Sequence, residues 1–437
     1  LLLAASYWFY MAWRVEFALV LLASTVIAHL GGLAVATAAP AARKRTLAVG
    51  IGAALALLGW FKYTNFAIGN LNAVLDVAGR PPLPWLDIVL PIGISFHTFQ
   101  AIAYMVDVYR GYPVERRFDR VALYMAFFPQ SVAGPIERPA EMIGQFDRFW
   151  PATYDDVAAG LRLILWGLVK KVVIADRLAV YVDQVYDHPG DHGGLAATLA
   201  IYFFAFQIYC DFSGYTDIAR GSARLFGIEL VPNFRRPYLA SSPTEFWRRW
   251  HMSLSLWFRD YVYLPLGGSR RGAGRNAANI MATFVLSGFW HGASWTFVAW
   301  GAIHGLVLLA GRALPVPRGR LAGFVGWLAT FHAVVVAWVF FRAKTFGDAF
   351  VLLGNALTKA STPLVFDGGL PRSQLVLAGG LAVGLLAVEW LAEHGRLAAW
   401  FSARPRALRW AAYYAAVYLV LLFPGGAGAR AFIYFQF

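Results

Sequence analysis

The sequence predicts an all-α, polytopic membrane protein with roughly 10–12 transmembrane helices plus re-entrant or short helices. Hydrophobic residues make up 59% of the 437 residues and charged residues only 14%, against about 25% charged residues in soluble domains. A soluble globule of this length could not cover so much apolar surface with polar groups. Apolar segments of about 20 residues, long enough to cross a bilayer, recur along the chain. We therefore expect a single membrane domain over residues 1–437.

The first half of the chain contains a hydrophobic N-terminal segment and three predicted spans. Residues 1–13 are hydrophobic and begin at Leu1 instead of Met, so we expect a truncated first helix. Spans are predicted at residues 15–39, 46–63 and 88–108, and the polar segment 64–87 is predicted to be an external loop. Residues 121–136 are apolar but contain Pro129, Gly134 and Pro135. These breaks favour a re-entrant or bent segment over a straight span.

The second half continues with predicted spans at 157–186, 195–227, 280–290, 295–309, 321–341, 375–391 and 410–422. Residues 244–263 differ from these because charged side chains interrupt a helical spacing of tryptophans. The ionisable residues are Arg248, Arg249, His251, Arg259 and Asp260. Lipid would reject that much charge, so we expect an amphipathic or re-entrant helix that packs inward.

Charged loops predict the orientation of the chain. Segments 110–120, 235–249 and 396–409 are rich in arginine and are expected in the cytoplasm by the positive-inside rule. The acidic turn 187–194 is expected outside. The formal net charge of the whole chain is +14. Membrane lipids are therefore expected partners, and nucleic acid is not.

Several kinds of chemistry are excluded by the sequence. The single cysteine, Cys210, rules out an internal disulfide and a cysteine metal cluster. The chain contains no HExxH, no phosphate-binding Gly-Lys-Ser loop and no GxGxxG after a strand. No residue spacing suggests a metal site. Asp211 and Asp217 are expected to form a structural polar network with Tyr215 and Arg220.

Two of the nine histidines are candidates for catalysis. His291 lies in GFWHGASW, where small residues let a ligand or another backbone approach closely. A buried imidazole suits a general base, although a helix-capping histidine fits the local sequence equally well. His251 lies in RRWHMSLS, which also fits an interfacial histidine on a basic amphipathic helix. On one continuous helix, Trp247 and Ser255 would be its neighbours one turn away.

Four long motifs follow one another along the chain. They are FFPQSVAGPIERPAEMIGQF (127–146), QIYCDFSGYTDIARGSARLFGI (207–228), PNFRRPYLASSPTEFWRRWHMSLSLWFRDYVYLPLGG (232–268) and GFWHGASWTFVAWGAIHG (288–305). Together, and in this order, they resemble the membrane-bound O-acyltransferase family. The similarity covers nearly the whole chain and includes the terminal FIYFQF. It is strongest to the bacterial branch that O-acetylates alginate or peptidoglycan, or D-alanylates teichoic acid.

The resemblance implies a reaction and a place for it. His291 would be the catalytic histidine and His251 a second functional histidine, near a constriction in a central funnel. The chain would be a multi-pass protein of the bacterial cytoplasmic membrane that transfers an acyl group, most simply acetyl. The donor would be acetyl-CoA or an acyl carrier thioester, with no bound cofactor. The acceptor would be a polysaccharide hydroxyl or an extracytoplasmic partner protein that modifies the polysaccharide.

The resemblance also suggests which residues bind the donor and which form the reaction pocket. Basic residues near His251 would neutralise the phosphates of the donor, although the positive-inside rule alone also explains cytoplasmic arginines. The donor-binding candidates are Arg235, Arg236, Arg248, Arg249, Arg270 and Arg271. The pocket candidates are Trp250, Ser255, Trp290, Gly292 and Ser294.

Two functions from other classes fit the same pattern. One is a transporter of an acyl group or a lipid-linked sugar, which would use the funnels without chemistry of its own. The other is a structural subunit that recruits an acylation complex. Retained transport or retained modification after removal of the histidines would favour these functions over catalysis.

Overall fold

The computed structural model describes residues 1–131, 134–146, 152–313, 319–358, 371–423 and 432–433, and its described secondary structure is helical. The first ten helices are α1 (Leu2–Met11), α2 (Phe17–Thr37), α3 (Pro40–Leu58), α4 (Thr64–Val77), α5 (Ile94–Tyr109), α6 (Phe118–Ala126), α7 (Phe128–Ser131), α8 (Pro139–Ile143), α9 (Tyr154–Leu168) and α10 (Asp176–Asp187). The others are α11 (Gly194–Arg224), α12 (Pro243–Arg249), α13 (Met252–Phe258), α14 (Gly272–His291), α15 (Trp295–Ala313), α16 (Arg320–Arg342), α17 (Phe346–Thr358), α18 (Arg372–Glu393), α19 (Arg396–Ser402) and α20 (Arg406–Leu422).

Six of the described helical runs are long and apolar enough to cross a membrane. The all-α polytopic class predicted from the sequence is thereby confirmed. The other predicted spans correspond to shorter or more polar helices, namely α1, α5, α9 with α10, α14 and α20. The six runs are Phe17–Thr37, Pro40–Val77, Gly194–Arg224, Trp295–Ala313, Arg320–Arg342 and Arg372–Glu393.

The polar segment 64–87 is not wholly a loop. Helix α3 continues through a π-helical turn, Gly59–Tyr63, directly into α4. The asparagines that suggested a turn instead hold the returning chain, because Asn65 and Asn72 each hydrogen-bond both backbone groups of a later residue, Leu86 and Leu83. The helix ends at Val77, before Gly79 with its left-handed backbone.

The broken segments behave as their proline, glycine and charge content predicts. Residues 118–131 form two short helices, α6 and α7, and the prediction for Val132 and Ala133 lies outside the described residues. The charged segment 244–263 forms α12, α13 and a π-helical stretch, Arg259–Tyr263. The helices formed by the described residues of both segments are short, as predicted.

The chain divides into two compact units. The first comprises Leu1–Gly160, Ala219–Val231 and Asp260–Val262. Its interior includes fully buried Tyr104 and Met105 on α5. Ion pairing also holds this unit together, since the Arg138 guanidinium lies 2.6 Å from the Asp260 carboxylate.

The second unit comprises Leu161–Ile218, Pro232–Arg259 and Tyr263–Phe437. Helices α14 and α15 pack closely there because glycines lie on both facing surfaces. A Cβ atom on Gly288 would lie 2.2 Å from the Phe297 carbonyl oxygen, and one on Gly301 would lie 2.2 Å from the Phe284 carbonyl oxygen. This close approach fixes the turn that follows His291.

Buried ion pairs join α11 to the π-helical stretch Val169–Ala175. Lys170 donates to Asp217 at 2.7 Å, and Lys171 lies 2.6 Å from Asp211 and 2.7 Å from Asp176. The predicted polar network around Asp211 and Asp217 therefore exists, but lysines are its cationic partners. Arg220, one of the expected members, instead donates to the Leu230 carbonyl.

Candidate active site

His251 lies in a sharp connection between α12 and α13. Its φ of 41° places it in the left-handed region, which costs a residue with a side chain about 1–2 kcal/mol. Asn233 holds this geometry: its carbonyl accepts from the Met252 N–H at 2.9 Å, and its side-chain oxygen accepts from the Ser253 hydroxyl at 2.6 Å. The expectation of one continuous helix through His251 is wrong, because this turn separates the helix bearing Trp247 from α13.

His291 is the last residue of α14, immediately before the extended residue Gly292. Aromatic rings surround it. The ring centroids of Trp290, Trp300 and Phe341 lie 4.9, 5.0 and 5.5 Å from its own. The histidine is 5% exposed. These rigid aromatic contacts hold the imidazole in one orientation.

The structure brings the two histidines together although 40 residues separate them in sequence. Their ring centroids lie 6.3 Å apart with an interplanar angle of 53°. This separation lies within the range in which two rings contact each other directly. His251, only 1% exposed, also contacts the Phe212 ring edge-to-face, with centroids 4.6 Å apart.

Burial sets the charge state of His251. This residue lies outside the candidate spans, and removal from water lowers its pKa to about 3 because the imidazolium is disfavoured there. A neutral imidazole has one nitrogen that accepts and one that donates a hydrogen bond. The ring can therefore hold a neutral hydroxyl or donate to a developing negative charge.

A cavity of about 430 Å³ lies close to the histidines in the fold, although neither histidine is among its lining residues. Met252, which follows His251, lines it, as does Ser287, one helical turn before His291. Much of the remaining wall is apolar, including Trp247 and Phe284. Three arginines also contribute to the lining: Arg248, Arg259 and Arg312. An apolar cavity with cationic groups suits an extended ligand that carries an anionic end.

The candidate donor-binding arginines lie in three different environments. Arg248 lines the cavity beside the histidines, whereas Arg235 and Arg236 line a second cavity. Arg249 is ion-paired with both Glu245 and Glu393. The other two candidates, Arg270 and Arg271, are exposed in the loop before α14 and line neither cavity.

Sequence reasoning missed Arg259 and Arg312 as cavity residues. For Arg259 the sequence predicts only a position in the charged segment 244–263. A signal existed for Arg259, because it lies one helical turn after Ser255, which also lines the cavity. Arg312 reaches the same cavity through the packing of α15, which local sequence does not reveal.

The candidate pocket residues also differ in their placement. Ser255 lines the cavity. Trp250 is buried in an aromatic stack, with its ring 5.5 Å from Phe246. Trp290 contacts His291 directly, and Gly292 lies so close to Phe297 that a Cβ would be 2.1 Å from that ring. Ser294 accepts from the Thr296 backbone N–H and so begins α15.

Among the residues that the structure describes, no group of three or more His, Cys, Asp or Glu side chains could hold a metal ion.

The chain is similar to acyltransferases of known families. A sequence model described as "MBOAT, membrane-bound O-acyltransferase family" matches residues 117–341, which include both histidines. The chain is 40% identical over 395 residues to "Probable alginate O-acetylase AlgI" of Pseudomonas putida, covering 90% of this chain and 80% of the relative. It is 37% identical over 384 residues to "Peptidoglycan O-acetyltransferase" of Helicobacter pylori, covering 80% and 72% of the two chains.

A relative of lower identity is named for the transfer of a different acyl group. The similarity to "Teichoic acid D-alanyltransferase" of Bacillus subtilis is 27% identity over 286 residues, covering 61% of this chain and 72% of the relative. The family match spans more than half of the chain, and the 40% identical relatives extend it across most of the remainder. The chain therefore belongs to the membrane-bound O-acyltransferase family and is an enzyme that transfers acyl groups to oxygen.

Proposed function

We propose that this enzyme moves an acetyl group from a cytoplasmic thioester to a hydroxyl group outside the bacterial cytoplasmic membrane. The observation that carries the proposal is the buried imidazole pair, 6.3 Å apart between ring centroids, beside a cavity of about 430 Å³. The printed names of the relatives, alginate O-acetylase and peptidoglycan O-acetyltransferase, support acetyl transfer to polysaccharide. The acceptor is a glycan hydroxyl or the serine of an extracytoplasmic partner that modifies the glycan.

The reaction moves a single proton, from the acceptor hydroxyl through His291 to the departing sulfur, and requires no cofactor. The acceptor oxygen attacks the thioester carbonyl carbon while His291 takes the hydroxyl proton. The C–O bond forms, the C–S bond breaks, and the proton passes from His291 to the departing sulfur. His251 donates a hydrogen bond to the oxyanion that develops on the carbonyl, or orients the reactants.

The donor occupies the cavity beside the histidines. Its thioester arm follows the apolar wall towards Ser287, and its phosphates lie near Arg248, Arg259 and Arg312. Guanidinium groups suit this role because they bind phosphate bidentately. Acetyl-CoA and an acetylated carrier protein both present such an arm, and turnover of purified protein with each donor distinguishes them.

Filling the cavity next to the reaction centre should block the donor. We expect Ser287→Phe to lower kcat/KM for the thioester by about 10²-fold, because even small misplacement of a reactant carries a cost of that order. The added ring would enter the cavity that Ser287 lines. Initial rates at several donor concentrations measure the effect.

Leu286→Phe is the matched control, since Leu286 is the adjacent residue on α14, is 47% exposed and lies outside the cavity lining. It should retain near-normal kcat/KM. Equal losses in the two variants would show that helix distortion, not donor exclusion, lowers the rate.

Donor access from the cytoplasm requires the predicted orientation of the chain. Single cysteines at positions 190 and 404, in a Cys210→Ala background, test it with a membrane-impermeant maleimide. A side chain at Gly190 would meet open space, and Arg404 is exposed. We expect intact cells with a permeable outer membrane to label position 190 and inverted vesicles to label position 404. The reverse pattern would contradict the proposed direction of transfer.

A further inference from the structure

A second cavity, of about 500 Å³, lies in the unit that holds the histidines. Its wall includes Trp166, Tyr209, Phe234, Arg235 and Glu389. Glu389 belongs to the last turns of α18, one of the candidate membrane spans. The end of a candidate span therefore forms part of the cavity wall, and span ends are where lipid headgroups lie.

Most charged groups around this cavity already have partners. Lys170 is paired with Asp217 at 2.7 Å and also donates to the Ser213 hydroxyl at 3.0 Å. Arg236 is paired with Glu393. Arg235 and Glu389 remain as the cation and the carboxylate of the lining that form no ion pair with the described residues.

Glu389 indicates what the cavity can bind, because its carboxylate is buried but only one of its two oxygens accepts a hydrogen bond. The side chain is 7% exposed. The Tyr209 hydroxyl donates to one carboxylate oxygen, and the other oxygen accepts no hydrogen bond from any described residue. A buried carboxylate oxygen without a donor costs free energy unless a ligand supplies one. The cavity that Glu389 lines is where such a ligand can enter.

Arg235 provides the opposite charge. Its side chain is exposed and forms no ion pair with the described residues, while its backbone N–H donates to the Arg249 carbonyl at 2.9 Å. The next residue, Arg236, has a left-handed φ of 48°, which among described non-glycine residues is shared only with His251. Backbone strain of this kind concentrates at functional sites.

Aromatic rings complete a site for a small cation. Trp166, Tyr209 and Phe234 all line the cavity. The Lys170 ammonium already lies 6.0 Å from the Trp166 ring centroid, within the range of cation–π attraction. An ammonium group inside the cavity could thus contact both a carboxylate and aromatic faces.

We propose that this cavity binds the phosphoethanolamine headgroup of an aminophospholipid, with the ammonium at Glu389 and the phosphate at Arg235. The ligand supplies the donor that the Glu389 oxygen needs and the anion that Arg235 needs. A choline headgroup lacks N–H donors, and a glycerol headgroup lacks the cation. This inference does not depend on the acetyl-transfer reaction.

The test is lipid binding to the purified, delipidated full chain, measured by native mass spectrometry and by thermal shift. Wild-type protein should bind one added phosphatidylethanolamine, about tenfold or more tightly than phosphatidylcholine or phosphatidylglycerol. Glu389→Gln, which keeps the shape and the acceptor for Tyr209, should abolish that preference. Arg235→Gln should weaken binding, whereas Arg406→Gln, an exposed arginine that lines neither cavity, should not.

Soluble glycerophosphoethanolamine in excess distinguishes headgroup recognition from acyl-chain contact. Displacement of the bound lipid supports the proposal, and the same compound bound without lipid would identify a soluble source of the ligand. The proposal would be overturned if the competitor did not displace the bound lipid. It would also be overturned if wild type and Glu389→Gln, at matched melting temperature, bound phosphatidylethanolamine equally.

Discussion

Replacing His291 with alanine is expected to lower acetyl transfer by about 10²–10⁴-fold, the usual contribution of a general base. The ring is one of two imidazoles at the candidate reaction centre, and it contacts His251 and the rings of Trp290, Trp300 and Phe341. The rate can be measured as base-labile acetyl ester formed on the exported polysaccharide per unit of enzyme. Expression and melting temperature must be compared in parallel.

His332→Ala is the matched control for that loss. His332 lies on the candidate span α16, but it is exposed and its ring contacts only the Leu328 carbonyl and neighbouring aromatic rings. We expect near-normal transfer in this variant. A comparable loss in both variants, at equal expression, would indicate that histidine removal acts through folding.

Replacing Lys171 with methionine should have the largest effect on stability. Its ammonium bridges two carboxylates, Asp176 at 2.7 Å and Asp211 at 2.6 Å, with only 9% of the side chain exposed. Removing it leaves two buried carboxylates without their cation, which costs about 3–5 kcal/mol. Unfolding in mixed micelles, followed by tryptophan fluorescence, measures the loss of stability.

An exposed lysine provides the comparison. Lys344 pairs with Asp187 at 2.8 Å, but 62% of its side chain is exposed. Lys344→Met should therefore change stability by about 0–1 kcal/mol. If Lys171→Met unfolds no more readily than Lys344→Met, the buried network does not stabilise the fold as described.

The membrane spans were predictable because hydrophobicity is a local property of the sequence. The predicted span 321–341 corresponds to α16 at Arg320–Arg342, and span 375–391 lies inside α18 at Arg372–Glu393. The inward packing of the charged segment also followed from local reasoning, because lipid excludes arginine and aspartate at any depth where they lack partners. His251 is accordingly almost fully buried in protein.

Features that depend on distant residues were not predictable. The break at His251 needs Asn233, 18 residues earlier, to hold the backbone of Met252 and Ser253. The partners of Asp211 and Asp217 lie about 40 residues away on a different helix. Asn65 and Asn72 suggested a loop because these residues favour turns, whereas here they sit on a helix and bind the chain that follows it.

The central claim is that His251 and His291 act as one reaction centre, and a double-substitution cycle on acetyl transfer tests it most directly. His251→Ala should be impaired less than His291→Ala, because an orienting residue leaves the base in place. Groups that act as a unit lose activity non-additively. We therefore expect the double variant to be about as slow as His291→Ala alone. Losses that multiply fully would contradict a shared centre, and near-normal transfer in the double variant would instead favour a transporter or a recruiting subunit.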